Sequence, residues 1–200
     1  MKKEVNFLES KTIQNLAKAY AVECMEGAKY QFLAKECEGK EYAFLKSTLK
    51  QLAKHEMAHA KLFWDFIVDS QNDIITNINI DFGVPFKHSE FVENFSLYSE
   101  DEEELAKHIY ISFAKTAKDE GFSDIAKKFE LVATVENCHS SLLNQIYTKL
   151  KTKKAYKSTT AIKWKCSQCG FEHTSKQVWN TCPLCGLPFG YAEIPFEMGE

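Results

Sequence analysis

Glu56 and His59, and again Glu136 and His139, form two Glu-x-x-His pairs set 80 residues apart. Each pair occupies positions that the hydrophobic stripe of a helix should fill. In the second segment Ile125, Phe129, Val132, Glu136, His139, Leu143, Ile146 and Leu150 recur at four-then-three spacing, the seam of an amphipathic helix. The first segment runs the same way through Leu45, Leu49, Leu52, Glu56, His59, Phe63 and Phe66. A carboxylate and an imidazole turned into an apolar seam are costly to desolvate unless something pairs with them. The same substitution at the same seam positions, made twice, calls for a shared partner, and a metal ion is the best candidate.

Two more stripes are interrupted by a carboxylate: Ile13, Leu16, Tyr20, Glu23, Gly27, Tyr30, Ala34, and Phe91, Phe95, Tyr98, Glu102, Leu105, Ile109, Phe113. One Glu from each of two helices, with Glu-x-x-His from each of two others, is the dinuclear carboxylate arrangement of helix bundles. Four carboxylates and two imidazoles offer hard oxygen and borderline nitrogen donors, suited to iron or manganese. On this reading Glu56 and Glu136 bridge two metals, Glu23 and Glu102 are terminal ligands, and His59 and His139 give each metal one imidazole. Glu102 keeps step with Tyr98, Leu105 and Ile109. Glu103 is the alternative, because the 33-residue spacing of Glu23 to Glu56, counted back from Glu136, lands on it. Tyr30 and Tyr110, each 26 residues before a Glu-x-x-His glutamate, should flank the site, as core aromatics or as redox-active groups. A buried ion-pair network without metal is the competing explanation, weakened by the lack of Lys or Arg on these seams. Cys24, Cys37 and Cys138 are expected to be small buried residues. His55, His88, His108 and His173 fit no ligand pattern and read as surface or ordinary packing residues.

The elements that must carry these residues are four helical blocks. The first spans about 11 to 38, with Gly39 as its stop, and the second about 41 to 70. The stretch from 71 to 88, Asn-rich and containing Gly83 and Pro85, reads as a long crossover. Ser89 is the expected N-cap of the third block, and Gly121 divides it from the fourth, which runs to about 150. Short, long and short connections predict a mainly α protein, a ferritin-like four-helix bundle made of two helix hairpins over residues 1–150. The halves repeat: Glu23 precedes Glu56 by 33 residues and Glu102 precedes Glu136 by 34.

Composition then changes. A Lys-rich, Ser/Thr-rich stretch at 151–161 reads as a solvated tether, with a docking patch for an acidic electron-transfer partner as the alternative. Residues 162–200 read as a compact module too small to fold without its metal. There Cys166-x-x-Cys169-Gly170 and Cys182-x-x-Cys185-Gly186 predict one tetrahedral four-cysteine site of two knuckles, holding either iron or zinc. Trp164, Phe171, Trp179, Phe189, Tyr191 and Phe196 should surround it. A net charge of −3 gives no electrostatic case for nucleic acid or an anionic membrane. The N-terminal residues lack an apolar signal core and no stretch of eighteen apolar residues occurs, so a cytoplasmic, non-membrane protein is expected.

The whole pattern resembles the rubrerythrin family. The likeness rests on Ala21-Val-Glu23-Cys24 with Tyr30, on Glu56-Met-Ala-His59-Ala60-Lys61, and on Tyr110-Ile-Ser-Phe113-Ala114-Lys115 with Asp119-Glu120-Gly121-Phe122. It extends through Val135-Glu136-Asn-Cys-His139 to the rubredoxin-like Trp164-Lys-Cys166, Cys169-Gly170-Phe171 and Cys182-Pro183-Leu-Cys185-Gly186. The resemblance implies a non-haem peroxidase with two iron ions in the bundle and one iron at the four-cysteine site. Hydrogen peroxide would be the substrate, and a rubredoxin or an NAD(P)H-dependent reductase the electron donor. It also implies a homodimer. An oxygen-consuming ferroxidase or iron-handling protein, and a non-catalytic zinc-binding protein, are the alternatives. In one respect the chain departs from the family, whose members carry a further Glu three residues after the third-helix ligand. Here that position is Leu105.

Overall fold

A computed structural model describes residues 5–37, 41–69 and 77–197. Helix α1 (Lys11–Glu36) packs on α2 (Ala43–Val68). Helices α3 (Phe91–Glu104) and α4 (Tyr110–Glu120) pack on α5 (Ser123–Lys151). A π-helical turn, Leu105–Ile109, joins α3 to α4 as one interrupted rod, so the bundle has four helical rods in two hairpins. The fold is therefore the mainly α bundle expected, followed by a small cysteine-rich module. No helix among the described residues is long and apolar enough to cross a membrane.

The helix ends follow from local chemistry. The Ser10 hydroxyl caps α1 by accepting the Ile13 N–H at 3.1 Å. Across the bundle the Glu120 carboxylate accepts the Lys11 and Thr12 N–H groups at 3.0 and 2.9 Å, satisfying further orphan donors and tying α4 to the start of α1. Gly121, at φ 96°, turns the chain from α4 into α5. The expected cap at Ser89 is one residue early. Glu90 holds the N-cap position, and the Asn94 side chain accepts the Ser89 N–H at 2.8 Å instead. Gly39 and residues 70–76 lie outside the described residues, while residues 77–89 of the crossover carry no helix or strand.

The α5 seam buries every residue expected of it, the α1 and α2 seams leave only Tyr20, His59 and Phe66 partly exposed, and the third rod changes phase. The expected stripe continued from Leu105 to Ile109 and Phe113. The buried residues are Leu105, Ala106, Tyr110, Ala114 and Ala117 instead. The cause is one extra residue: Tyr30 follows Glu23 by seven positions, whereas Tyr110 follows Glu102 by eight. A π-turn absorbs a single insertion in an α-helix and lets both flanks keep their faces. The surplus of 34 over 33 residues is accommodated there.

Beyond α5 only residues 152–156 precede strand β1 (Lys157–Lys165), which pairs antiparallel with β2 (Glu172–Gln177). The stretch read as a solvated tether is thus largely structured, and Ala155 is buried with the bundle core. Trp164 fills the module's small core with Val178 and Ala192. The module rests on the end of the bundle. Tyr156 donates its hydroxyl to the Glu41 carbonyl at 2.8 Å, and the Glu197 N–H donates to Gln145 at 2.8 Å. A Cβ on Gly190 would meet the Glu41 carbonyl oxygen at 2.6 Å, so only glycine permits this approach. Phe196, expected around the cysteines, stacks on Phe44 of α2 at 6.4 Å and belongs to the bundle core.

Candidate metal centres

The four interrupted seams meet at one level of the bundle. Glu23, Glu56, Glu102 and Glu136 are each at most 1% exposed and His139 is buried, while His59 is partly buried. Donor atoms of Glu23, Glu56, His59 and Glu136 lie within 4.8 Å of one another, as do those of Glu56, Glu102, Glu136 and His139. Glu56 and Glu136 belong to both groups. Each turns one oxygen toward each histidine. Nδ1 of His59 lies 2.9 Å from Glu136 Oε1 and 3.3 Å from Glu56 Oε2. Nδ1 of His139 lies 2.9 Å from Glu56 Oε1 and 2.8 Å from Glu136 Oε2. Glu103, the alternative to Glu102, is half exposed and paired with Lys107, turned away from this centre.

The tyrosines pair crosswise. Tyr30 of the first hairpin donates its hydroxyl to Glu102 of the second, and Tyr110 donates to Glu23 of the first. Burial, reinforced by these carboxylates, pushes both phenols well above their ordinary range, so they remain donors. His55 carries an interaction that the sequence pattern did not reveal. Its Nδ1 is 3.2 Å from His139 Nε2, the rings stack at 5.4 Å, and Gln51 lies 2.8 Å from its other nitrogen. The contact bridges α2 and α5 over 84 residues, and no spacing rule within one helix could have shown it. His88, His108 and His173 are exposed, as expected. Cys37 is buried, but Cys24 is only partly so and Cys138 is exposed, because each lies off its buried ligand on the helix and turns away from it.

In the module the knuckles face each other. Cys166 and Cys185 sulfurs are 3.8 Å apart, those of Cys169 and Cys182 are 3.7 Å apart, and all four lie within 4.8 Å. Gly170 and Gly186, at φ 74° and 75°, close turns onto the Cys166 and Cys182 carbonyls at 2.8 and 2.9 Å. Burial opposes ionisation of Cys182, but N–H groups of Cys185 and Leu184 and the neighbouring thiols bring it down to about 7.

The sequence profile of the rubrerythrin family matches residues 14–101 and 94–168. The chain belongs to the rubrerythrin family. Rubrerythrin-1 of Clostridium acetobutylicum is 31% identical over 188 residues, covering 94% of this chain and 96% of the relative. The rubrerythrin of Clostridium perfringens is 28% identical over 185 residues, covering 92% and 94%. A solved structure of nigerythrin in a mixed-valence state shares the fold, with a TM-score of 0.61 at 22% identity over 96% of this chain and 88% of that one.

The bundle of this chain fits a pair of cations on its own chemistry. Both oxygens of Glu56 and Glu136, one oxygen each of Glu23 and Glu102, and Nδ1 of His59 and His139 are buried without a hydrogen-bond partner. The imidazole nitrogens lie close to carboxylate oxygens, but not in hydrogen-bonding geometry. Each such atom left unpaired costs about 1–3 kcal/mol, so eight of them converging on one point demand a positive centre. Protons otherwise fill that role. Burial, with the neighbouring carboxylates, pushes Glu23 and Glu102 well above the carboxylate range. Burial opposes charge on His59 and His139, but the surrounding carboxylates push them up to about 12 and about 9. Burial also works against ionised Glu56, and the two imidazoles outweigh it, bringing it down to about 2. Two divalent cations would replace this arrangement of protons with one in which every donor atom is used.

Proposed function

We propose that this protein is a non-haem di-iron peroxidase that reduces hydrogen peroxide to water. The observation that carries the reading is the convergence of eight unpartnered donor atoms from four helical rods, in a chain that also assembles a four-cysteine site. In the bundle Glu56 and Glu136 would bridge two irons, with Glu23 and Glu102 as terminal ligands and His59 and His139 as one imidazole each. Cys166, Cys169, Cys182 and Cys185 would hold one iron, or zinc in protein grown with little iron. The bound metals supply the two electrons that, with two protons, convert one hydrogen peroxide to two waters.

The chain's own groups do the rest. Tyr30 and Tyr110 hold Glu102 and Glu23 in place by hydrogen bonds that survive at any working pH, because both phenols are raised. His55 fixes the ring plane of His139, so that Nδ1 keeps facing the centre. Electrons would be replenished through the four-cysteine site from a rubredoxin or an NAD(P)H-dependent reductase. A homodimer working in the cytoplasm completes the proposal. Membership of the rubrerythrin family supports an oxidoreductase, and ferritin-like oxygen consumption is the alternative.

The test is rapid mixing of anaerobic, fully reduced protein with hydrogen peroxide or with oxygen, following the visible colour of a ferric-thiolate site. Colour returning much faster with peroxide supports the peroxidase. Faster return with oxygen replaces it with the oxidase, and a colourless protein removes the internal electron donor.

A further inference from the structure

The contact between His139 and His55 continues to the surface. The His139 ring leads from the Nδ1 that faces the bundle centre to Nε2, 3.2 Å from His55 Nδ1. His55 Nε2 in turn lies 2.8 Å from the Gln51 amide. The two rings are nearly parallel, with centroids 5.4 Å apart and 9° between their planes. A cation on Nδ1 leaves the His139 proton on Nε2, where it donates to His55 Nδ1, and His55 then keeps its own proton on Nε2, toward Gln51. His55 is partly exposed and Gln51 is exposed, so an unbroken row of bonds and close contacts joins a buried ligand to solvent.

The surface reached in this way carries one sign of charge. From residue 46 to 64 of α2 and from 131 to 148 of α5, every Asp, Glu, Lys or Arg other than the ligands Glu56 and Glu136 is a lysine. Lys50 and Lys54 flank Gln51 and His55 in the sequence of α2, one turn apart. Both are exposed, and neither has an ion pair among the described residues. Helices α2 and α5 run antiparallel, with Phe63 stacked on Phe129 at 5.1 Å and Leu49 sharing a core with Leu143. Ala58 and Val135, one turn beyond His55 and His139, therefore fall at one level, and both are exposed. They give the lysine row an apolar margin. Glu197, whose N–H meets Gln145, borders the face on the side of the module.

We propose that this face is a second electron entrance to the bundle, separate from the four-cysteine site. It docks a small acidic redox protein with an exposed one-electron cofactor, and His55 is the contact through which the electron reaches His139. The proposal rests on the peroxidase reading for the electron's destination, while the docking surface stands on charge and geometry alone. Bonded and hydrogen-bonded atoms carry an electron better than a gap of equal length, and the His139–His55 row supplies them to the surface. Charge selects the occupant. The module of a second copy brings six lysines against three glutamates over residues 152–197, the same sign as this face, whereas an acidic partner is drawn to it. Electron-transfer encounters bury little surface, which suits two lysines beside an apolar margin. Each encounter oxidises the donor by one electron and reduces the centre by one. Two encounters restore what one peroxide takes, and no bond of the chain is made or broken.

The probe is an acidic flavodoxin, used first on zinc-loaded protein, which cannot accept electrons. Amide resonances of Gln51, Lys54 and Ala58 should shift saturably as oxidised flavodoxin is added, and high salt should weaken the binding. Reversing two charges, in Lys50→Glu with Lys54→Glu, should weaken it about tenfold or more. In iron-loaded protein, reduced flavodoxin should reduce the bundle before the ferric-thiolate colour fades. The charge-reversed variant should slow that step by the same factor and leave the reaction of pre-reduced protein with hydrogen peroxide, a neutral molecule, unchanged. His55→Asn keeps a polar group near the position of Nδ1 and removes the rest of the ring. It should bind flavodoxin and metal as the wild type does, yet accept electrons as slowly as the charge-reversed variant, a loss that a merely orienting His55 would not produce. Shifts confined to the module, colour that fades first, or binding indifferent to the two lysines would overturn the entrance. Self-association through the same amides in place of flavodoxin binding would give the face to a second copy and overturn it too. A protein that takes electrons at this face but reduces no peroxide would overturn the peroxidase reading and leave the entrance standing.

Discussion

The two helix hairpins hold the same donors in the same order, yet they are not equivalent. The first, α1 with α2, is continuous α-helix within each rod. The second carries a π-turn between Glu102 and Tyr110, and the outer nitrogen of its histidine is backed by a second imidazole, whereas no such backing is seen for His59 among the described residues. The first places Glu26 where the second places Leu105. The shared features are those that a dinuclear centre requires of both halves. The differences therefore mark where each half acquired a task of its own.

Removing a shared feature should have the largest effect. Glu136→Ala, and equally Glu56→Ala, should empty the bundle of both metals while the four-cysteine site keeps its own. Metal analysis that finds both bundle ions retained in either variant would break the assignment of these residues as bridges. A smaller and one-sided effect is expected from His55→Ala. Loss of a partner that orients a metal-bound imidazole typically costs about 10- to 100-fold in affinity, so one bundle metal should weaken while the other stays, as competition with a chelator would show. Equal weakening of both would mean that the halves are energetically fused.

The crosswise tyrosines sharpen the comparison differently. Tyr30→Phe and Tyr110→Phe each strip a hydrogen bond from a buried carboxylate, at about 1–3 kcal/mol apiece. Because the bonds cross between hairpins, the two denaturation midpoints should fall by similar amounts; a large inequality would show that the pairing is not a shared device. Deletion of Ala106 from the π-turn should leave a regular α-helix with both flanks in phase, a folded chain and two bundle metals. Stability should rise by about 1 kcal/mol, the usual gain from regularising a local defect. A chain that no longer folds would show that the extra residue sets the phase rather than being absorbed. The smallest change expected is in Leu105→Glu, which gives the second hairpin the carboxylate that the first has at Glu26. Peroxide turnover should increase modestly with both irons bound, and unchanged or lower turnover would count against this.

Most of the centre was legible because burial and period coincide. A carboxylate on a seam is conspicuous when the seam is otherwise Leu, Ile and Phe, and this singled out Glu23, Glu56, Glu102, Glu136, His59 and His139 as one group before any geometry was known. The knuckle glycines were legible for an equally local reason, the positive φ that each requires. Other features depended on contacts distant in sequence. His55 meets His139 only because α2 and α5 are neighbours at that level. Phe196 leaves the cysteines for Phe44 because the module rests on the bundle. The π-turn is the instructive case. Its signature, eight residues against seven, was present in the spacing, but a stripe extended at constant period carried the seam to Ile109 and Phe113. The buried Glu26, with one oxygen unpartnered, lay outside pattern reading altogether, since an acidic residue one turn from a ligand looks like any surface glutamate.

The most direct measurement is a crystal structure of the iron-loaded protein with anomalous diffraction on either side of the iron absorption edge. The account predicts two iron peaks between Glu56 and Glu136, each within bonding distance of one histidine, and a third among Cys166, Cys169, Cys182 and Cys185. A single bundle peak, or one that leaves the Glu56 and Glu136 oxygens uncoordinated, would contradict it.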